Sequence, residues 1–398
     1  MGETLEIAND ISLLSENLLD EYQSSSSIFF SSSTQALLAK PPFASLLVAG
    51  MKNLPEQVNE SLRLAEELGC NDSIVIGAIP FNIKEPNYLR VSTNFRTAYV
   101  SRHKNTELEE VDVGEYRIKS YPTSREYIDN VKNALQRFAS GELDKVVLSR
   151  TLEIKCDKSP DISALVKNLD ARNKHGYTFA VNLCDIKKNC QDGEFRTLIG
   201  ASPELLISRI GNKIIANPLA GSEPRSKNNE IDKIRAQNLM TSDKDRYEHA
   251  LVVKAIEQAL SPFCKHLDVP DNPSLISTGT LWHLSTRIEG ELNDTETSSL
   301  TLALALHPTP AVCGYPVEAA ANAITQLEPH ERNLFTGMVG WCNAAGDGEW
   351  VVTIRCAEVS DKSIRLYAGA GIVEGSDPDK ELNETEAKFS TMRNALGI

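Results

Sequence analysis

The chain has 398 residues, with 41 Lys and Arg against 55 Asp and Glu, a formal net charge of −14 and no basic run. Nucleic acid needs a concentrated cationic face, so it is excluded as a partner. A protein this acidic that handles an anionic substrate must gather its few cations locally or use a metal, because its mean field repels the ligand. The length allows two or three domains, or one large α/β unit. Cys70, Cys156, Cys184, Cys190, Cys264, Cys313, Cys342 and Cys356 form no C-x-x-C pair and mostly lie in apolar stretches, the usage of reduced core thiols in a cytosolic protein. MGETLEIANDISLLSENLLDEYQ is acidic and amphipathic, unlike a secretory signal, and Gly2 lacks the Ser or Thr of a myristoylation signal. No apolar run approaches the roughly 20 residues of a membrane span, so no membrane partner is expected.

In chain order, the Ser-rich runs around Ile28 to Phe30 read as a turn or edge segment. ASLLVAG (44–50) and SIVIGAIPF (73–81) are apolar and β-rich, and between them PEQVNESLRLAEELG (55–69) has helical spacing. SREYIDNVKNALQRFASGE, with Ser124 as N-cap, sets Tyr127, Ile128, Val131, Ala134, Leu135 and Phe138 at helical intervals. The strand DKVVLSRTLEI follows, then a helix near 162–173, the strands YTFAVNLC and RTLIGA, and a hairpin, LLISRIGNKIIANPL, turning near Gly211 and Asn212. A polar helical stretch covers about 227–263. TLWHLSTRIEG, GMVGWC, GEWVVTIRCAEV and SIRLYAGAGIV read as strands, with GDG (346–348) as a hairpin turn, and DPDKELNETEAKFSTMRNAL as a closing helix. There is no regular β-α-β beat and no internal repeat, which predicts a mixed-sheet α/β or α+β protein with one continuous core.

IGASPELLIS (199–208) holds an anomaly. Ile199, Leu205, Leu206 and Ile207 belong in a core, yet Glu204 stands among them. Either the strand is half exposed and Glu204 points to water, or the carboxyl is buried and must be paired, bind a metal or hold a proton with a raised pKa. Lys145 opens DKVVLSR and by strand parity shares a face with Val147 and Ser149. Local sequence leaves open a strand-end lysine in water and a desolvated amine able to act as a base. Glu381, Glu384 and Lys388, at i, i+3 and i+7, share one face of the last helix, a pattern also found on solvated salt-bridged faces.

Glu248 in DRYEHALVV is a second helical acid, with apolar neighbours beginning two residues later. Carboxylates from two helices without a Cys or His set would suit Mg2+. Arg355 interrupts an apolar strand, and a buried guanidinium needs a carboxylate or phosphate to hold. AGAGIVEG (368–375) spaces its glycines G-x-G-x-x-x-G and leads into a polar turn, so NAD binding is rejected. Gly369 and Gly371, like PLAGS (218–222), let a ligand approach the backbone. His283 in TLWHLST and His307 in HPTPA read singly as core histidines.

Together, DKVVLSR, IGASPELL, PLAGS, SDKDRYEHALV, TLWHL, LHPTPA, GWC, GEWVVTIRCAEV, LYAGAGIV and NETEAKFSTM occur in the order and spacing of the chorismate-utilising enzymes. The sequence most resembles the isochorismate synthases of catechol siderophore pathways, over about residues 73 to 398 and most densely after Lys145. The resemblance implies one large α/β (α+β) domain over 1–398, with two mixed-sheet halves flanked by helices around a deep central cleft. Residues 1–120 are its less typical part, and 121–398 the core carrying the active site. The resemblance places chorismate and Mg2+ in the cleft.

By the same resemblance Glu204 is the general acid that protonates the departing C4 hydroxyl. Lys145 is the base that turns water on C2, giving isochorismate reversibly with no redox cofactor. Glu248 and Glu384, with Glu381 nearby, fall on the Mg2+ carboxylates. Arg355, the backbone around Gly369 and Gly371, and Lys388 fall on anion-binding elements for the two substrate carboxylates. Gly221 and Ser222 line the same cleft, and His283 resembles the histidine near the reacting carbon. A monomer is implied, in a pathway with an isochorismatase downstream.

The sister enzymes differ at these positions. Anthranilate synthases, which use ammonia, replace the lysine that stands here as Lys145. One kind of aminodeoxychorismate synthase carries a lysine in its PIKG motif, where this chain has Ala220. Salicylate synthases share the base lysine and then expel pyruvate, but Ala311 and Val312 resemble the small apolar lining of isochorismate synthases. A catalytically dead chorismate-binding paralogue would be expected to have lost a charge from the set, and Lys145, Glu204, Glu248, Arg355 and Glu384 are all present.

Overall fold

The structure is a computed structural model and describes residues 15–45, 53–70, 72–100, 108–184 and 196–398. The chain before residue 15, Cys190 and most of the strand expected over 44–50 lie outside them. Cys70, Cys156, Cys264, Cys313, Cys342 and Cys356 are free thiols, as their scattered spacing implied.

Two large sheets and one small one carry the fold. The first runs, edge to edge, through Gly314–Tyr315, Lys145–Cys156, Ser363–Val373, Cys356–Ser360, Arg196–Ser202, Tyr177–Asn182, Ile28–Ser31, Gln35–Ala39 and Phe95–Tyr99, with Tyr116–Tyr121 also on Lys145–Cys156. The second runs through Cys264–Asp268, Ile288–Leu292, Lys213–Asn217, Leu205–Ile210, Gly348–Val352, Met338–Asn343, Ile74–Ile79, Tyr88–Ser92 and Phe43–Ser45. The third holds Leu219–Pro224, Leu281–Ser285 and Ser274–Ser277. The α+β class is as read, but the sheets expected to be mixed pair antiparallel throughout the described residues, as in Lys145–Cys156 on Ser363–Val373. Hairpins and sheet-switching bends join their strands, so no parallel neighbours arise.

The large sheets pack face to face over a layer that includes Phe30, Leu37, Ile76, Val339 and Val351. On the outer face of the first sheet, Phe29, Leu38 and Leu366 meet Leu165, Leu169, Phe389 and Met392 from helices Ile162–Arg172 and Pro378–Leu396. On the outer face of the second, Val75, Ile207 and Trp350 meet Leu62, Val252, Ile256 and Leu302 from helices Leu54–Glu67, Asp243–Leu260 and Ser299–Leu306. The alternation of Phe29 outward and Phe30 inward is the two-residue period of a strand between two apolar layers. Ile28–Ser31 is therefore a buried inner strand and not the edge segment that its serine-rich flanks suggested.

Two local expectations change. The stretch 227–263 is two helices, Asn229–Thr241 and Asp243–Leu260, because Ser242 adopts extended dihedrals and caps the second by accepting the Asp245 N–H. Helix Ser124–Ala139 is capped one residue earlier than read: Thr123 accepts the Glu126 N–H while Glu126 accepts the Thr123 N–H, a capping box.

Candidate active site

Segments read as single strands turn out to change sheets. Arg196–Ser202 belongs to the first sheet and Leu205–Ile210 to the second, with Pro203 and Glu204 between them. Gly348–Val352 and Cys356–Ser360 make the reverse crossing through Thr353, Ile354 and Arg355. The chain also leaves the second sheet at Pro218 for Leu219–Pro224, and returns from Leu281–Ser285 through Thr286 and Arg287 to Ile288–Leu292. Such bends release side chains from the ladder and re-aim them. Arg355 lies in left-handed space at φ +51, costly for a long side chain, and Gly221 at φ +77.

A cavity opens where these crossings meet. Its lining includes Glu204, Gly221, Ser222, Glu248, His283, Ala311, Val312, Arg355, Gly369, Gly371, Glu384 and Lys388. Residues separated by up to 184 positions, proposed from sequence for one cleft, thus border one space. His307 does not join them: its Nε2 bonds the Phe81 carbonyl at 2.9 Å, as a core histidine does.

Glu204 is buried, not turned to water. Burial pushes its carboxyl up to about 7, against the opposing influence of the Leu219 N–H at 3.5 Å and of the charges on Lys145, Arg355 and Lys388. It can therefore hold a proton near neutral pH and release it to a leaving group. Lys145 has no exposed surface, and its Nζ stands 2.9 Å from Glu248 Oε1. The amine is thus desolvated but not alone. The bare backbone of Gly371 makes room for this pair, since a Cβ there would lie 2.1 Å from Glu248 Oε1 and 3.2 Å from Lys145 Cε.

The three sequence-proposed metal acids each face a lysine. Glu248 faces Lys145, Glu381 meets Lys244 at 2.7 Å, and Glu384 meets Lys388 at 2.6 Å. Burial pushes Glu381 up to about 7, with the charge of Glu384 adding to it and Lys244 opposing. Burial also raises Asp245, helped by Glu248 and Glu384. Burial likewise acts upward on Glu248, but Lys145 and Lys244 outweigh it and leave that carboxyl below its ordinary value. Glu381 stands behind the cavity lining, not in it. Among the described residues no three His, Cys, Asp or Glu groups converge as a ready ligand set. The donor chemistry nonetheless fits a hard cation: crowded carboxylates on two helices, without sulfur or imidazole.

Cations and donors line the same cavity. Burial pushes Arg355 down to about 10, with Glu384 and Glu204 opposing, so it stays cationic at neutral pH. Its Nη2 donates to His283 Nε2 at 3.4 Å, and His283 Nδ1 pairs with Ser222 Oγ at 2.9 Å. Burial first, then Arg355 and Lys388, hold His283 far below the usual imidazole range, so the ring is neutral with its proton on Nδ1. Lys388 donates to the Gly369 carbonyl at 2.7 Å, tying the last helix to strand Ser363–Val373. Arg355, Lys388 and Ser222 can receive carboxylates, while Ala311 and Val312 supply the apolar face.

Sequence reading missed Lys244, Phe335 and Thr336. Lys244 lies one turn before Glu248, and its pairing with Glu381 across 137 residues leaves no local trace. Phe335 and Thr336 line the cavity, and Thr336 holds φ +60, a costly state for a β-branched residue. The signal available was Gly337 directly after them in FTG.

The sequence matches the family described as "Chorismate binding enzyme" over residues 85–397. It is 46% identical over 387 residues to the isochorismate synthase DhbC of Bacillus subtilis (strain 168), covering 96% of each chain. It is 42% identical over 387 residues to the vibriobactin-specific isochorismate synthase of Vibrio cholerae serotype O1, covering 97% of this chain and 95% of the other. The crystal structure of DhbC from Bacillus anthracis superposes with a TM-score of 0.89 at 46% identity, covering 96% of this chain and 99% of that one. The chain therefore belongs to the chorismate-binding enzymes.

Proposed function

We propose that the chain is an isochorismate synthase of catechol siderophore biosynthesis, interconverting chorismate and isochorismate. The observation that carries the reading is the buried Glu204, whose carboxyl holds its proton up to about pH 7 inside a cavity also lined by Arg355, Lys388 and Glu248, with Lys145 paired to Glu248 behind the lining. A general acid among carboxylate-binding cations suits a dianionic substrate that must lose a hydroxyl.

In this reading the neutral amine form of Lys145 takes a proton from water as the water oxygen bonds to C2, the ring double bonds shift, and the C4–O bond breaks. Glu204 gives its proton to the departing hydroxyl, so one water enters and one leaves, with no change of formula or oxidation state. Arg355 and Lys388 hold substrate carboxylates, His283 stays a neutral neighbour, and Ala311 and Val312 keep the enolpyruvyl group dry. Glu248 and Glu384, with Glu381 behind them, would hold Mg2+. That ion supplies charge neutralisation for a ring carboxylate amid acids that would otherwise repel it. The described residues contain no helix long and apolar enough to cross a membrane. In the same reading the enzyme is a cytosolic monomer of one domain that supplies an isochorismatase.

The test is incubation with chorismate and Mg2+ followed by chromatography. Isochorismate with its enolpyruvyl group retained is expected. Stoichiometric pyruvate with salicylate would establish the rival salicylate synthase reading.

A further inference from the structure

Strand Lys145–Cys156 carries the proposed base, and one of its edges is only partly paired. Gly314–Tyr315 covers Val146 and Lys145, and the Val147 N–H reaches the Cys313 carbonyl at 2.9 Å. Strand Tyr116–Tyr121 takes up the same edge again only from Thr151 onward. Between these two no strand among the described residues lies alongside.

Side chains fill that gap. Arg332 Nη2 donates to the Val147 carbonyl at 2.7 Å, and Glu328 Oε1 accepts the Ser149 N–H at 2.7 Å. A carbonyl and the N–H two residues later are the pair that an adjoining strand would satisfy. The two side chains also grip each other bidentately, at 2.6 Å (Nη2 to Oε1) and 2.9 Å (Nε to Oε2), with both almost wholly buried. Arg332 Nη1 donates further to the Val312 carbonyl at 2.8 Å and to Thr336 Oγ1 at 3.4 Å. Phe81 and Phe335 flank the guanidinium, 4.8 and 5.9 Å from ring centre to Cζ. One guanidinium thus ties together Val147, Val312 and Thr336, cavity-wall residues from three separate segments.

We infer that Glu328 and Arg332 are positioning residues: the pair stands in for a missing strand beside Val147 to Ser149 and fixes the base-bearing strand against the Val312 wall. Stability alone does not call for such a pair, since a buried ion pair is often replaceable by apolar residues at no net cost. Apolar replacements, however, could not bond the Val147 and Val312 carbonyls or the Ser149 N–H. The inference rests on the reading of the cavity as the chorismate site.

The test compares wild type, Arg332→Lys, Arg332→Ala and the double variant Glu328→Met with Arg332→Met, each checked for folding by circular dichroism and assayed per folded molecule. Arg332→Lys keeps a partner for Glu328, and the double variant leaves no charge unpaired, so these two guard against simple loss of the fold. The expected result is a fall in kcat of about 10- to 100-fold in both, with KM for chorismate changed less than about 3-fold, because small displacements of a reacting group cost rate more than binding. Added methylguanidinium should raise kcat of Arg332→Ala and leave wild type unchanged. Folded variants with wild-type kcat, or a change confined to KM or to melting temperature, would overturn the inference. A wild type inert toward chorismate would instead overturn the functional reading.

Discussion

Glu204 and Arg355 occupy matching points on two chain crossings that are bonded to one another: the Ala201 N–H donates to the Arg355 carbonyl at 3.0 Å, and the Val352 N–H to the Glu204 carbonyl at 3.2 Å. The backbone therefore sets where the proton donor and the anion-binding cation stand. Either side chain can be changed without removing the bonds that position the other.

Glu204→Gln should lower kcat by about 10² to 10⁴, because it keeps shape but cannot transfer the proton. Turnover in wild type should fall as pH rises through about 7, where the carboxyl ionises, and the variant should lack that limb. Stability moves the other way. Between the ordinary value of 4.5 and about 7, the folded chain keeps a proton that the unfolded chain has lost, so stability declines with rising pH across that window. Glu204→Gln should then be more stable than wild type at pH 8, by an amount on the order of 3 kcal/mol. Urea unfolding at pH 5 and pH 8 checks this, and a variant less stable at pH 8 would contradict it.

Lys145 and Glu248 should be strongly coupled in a double-mutant cycle. Lys145→Met strips the partner 2.9 Å from a buried carboxylate, a loss of about 3 to 5 kcal/mol. Adding Glu248→Leu should recover much of it while turnover stays abolished. Additive single losses would show that the ion pair is energetically idle.

Gly371→Ala should push Glu248 aside, since the new methyl would sit 2.1 Å from Oε1. Activity should drop about 10-fold or more, and the Mg2+ concentration for half-maximal rate should rise. Gly279→Ala, with nothing within 4 Å, is the matched control and should behave as wild type. Equal effects at both sites would refute the steric argument.

Excess EDTA should abolish turnover, and Mg2+ should restore it. In Glu384→Gln the restoring concentration should be higher, measured as a shift along a metal titration. Full activity in EDTA would remove Mg2+ from the reaction.

What could be read in the sequence was period and composition. Helix Ser124–Ala139, the hairpin at Gly211 and the closing helix follow from apolar spacing and turn residues that act locally. The sheet changes at Glu204, Arg355 and Thr286 were not legible, because strand-forming residues run through each bend and only Pro203 hints at a break. The site residues were found through ordered motifs, whereas their partnerships needed three dimensions. Glu248 lies 103 residues from Lys145 and 123 from Gly371, and neither burial nor pairing across such spans leaves a periodic trace. Lys145 thus left two local readings open, and the structure chose desolvation while adding an acidic partner.

The shared crossings also bear on how the molecule comes apart. Strands of the first sheet run directly into strands of the second at Pro203–Glu204 and at Thr353–Arg355, and those strands are paired on both sides of the bend. Neither sheet can melt without dragging its neighbour's ladder with it, so calorimetry should record one cooperative transition. A ligand seated at the bends would then raise the melting temperature of the whole chain, not of one lobe.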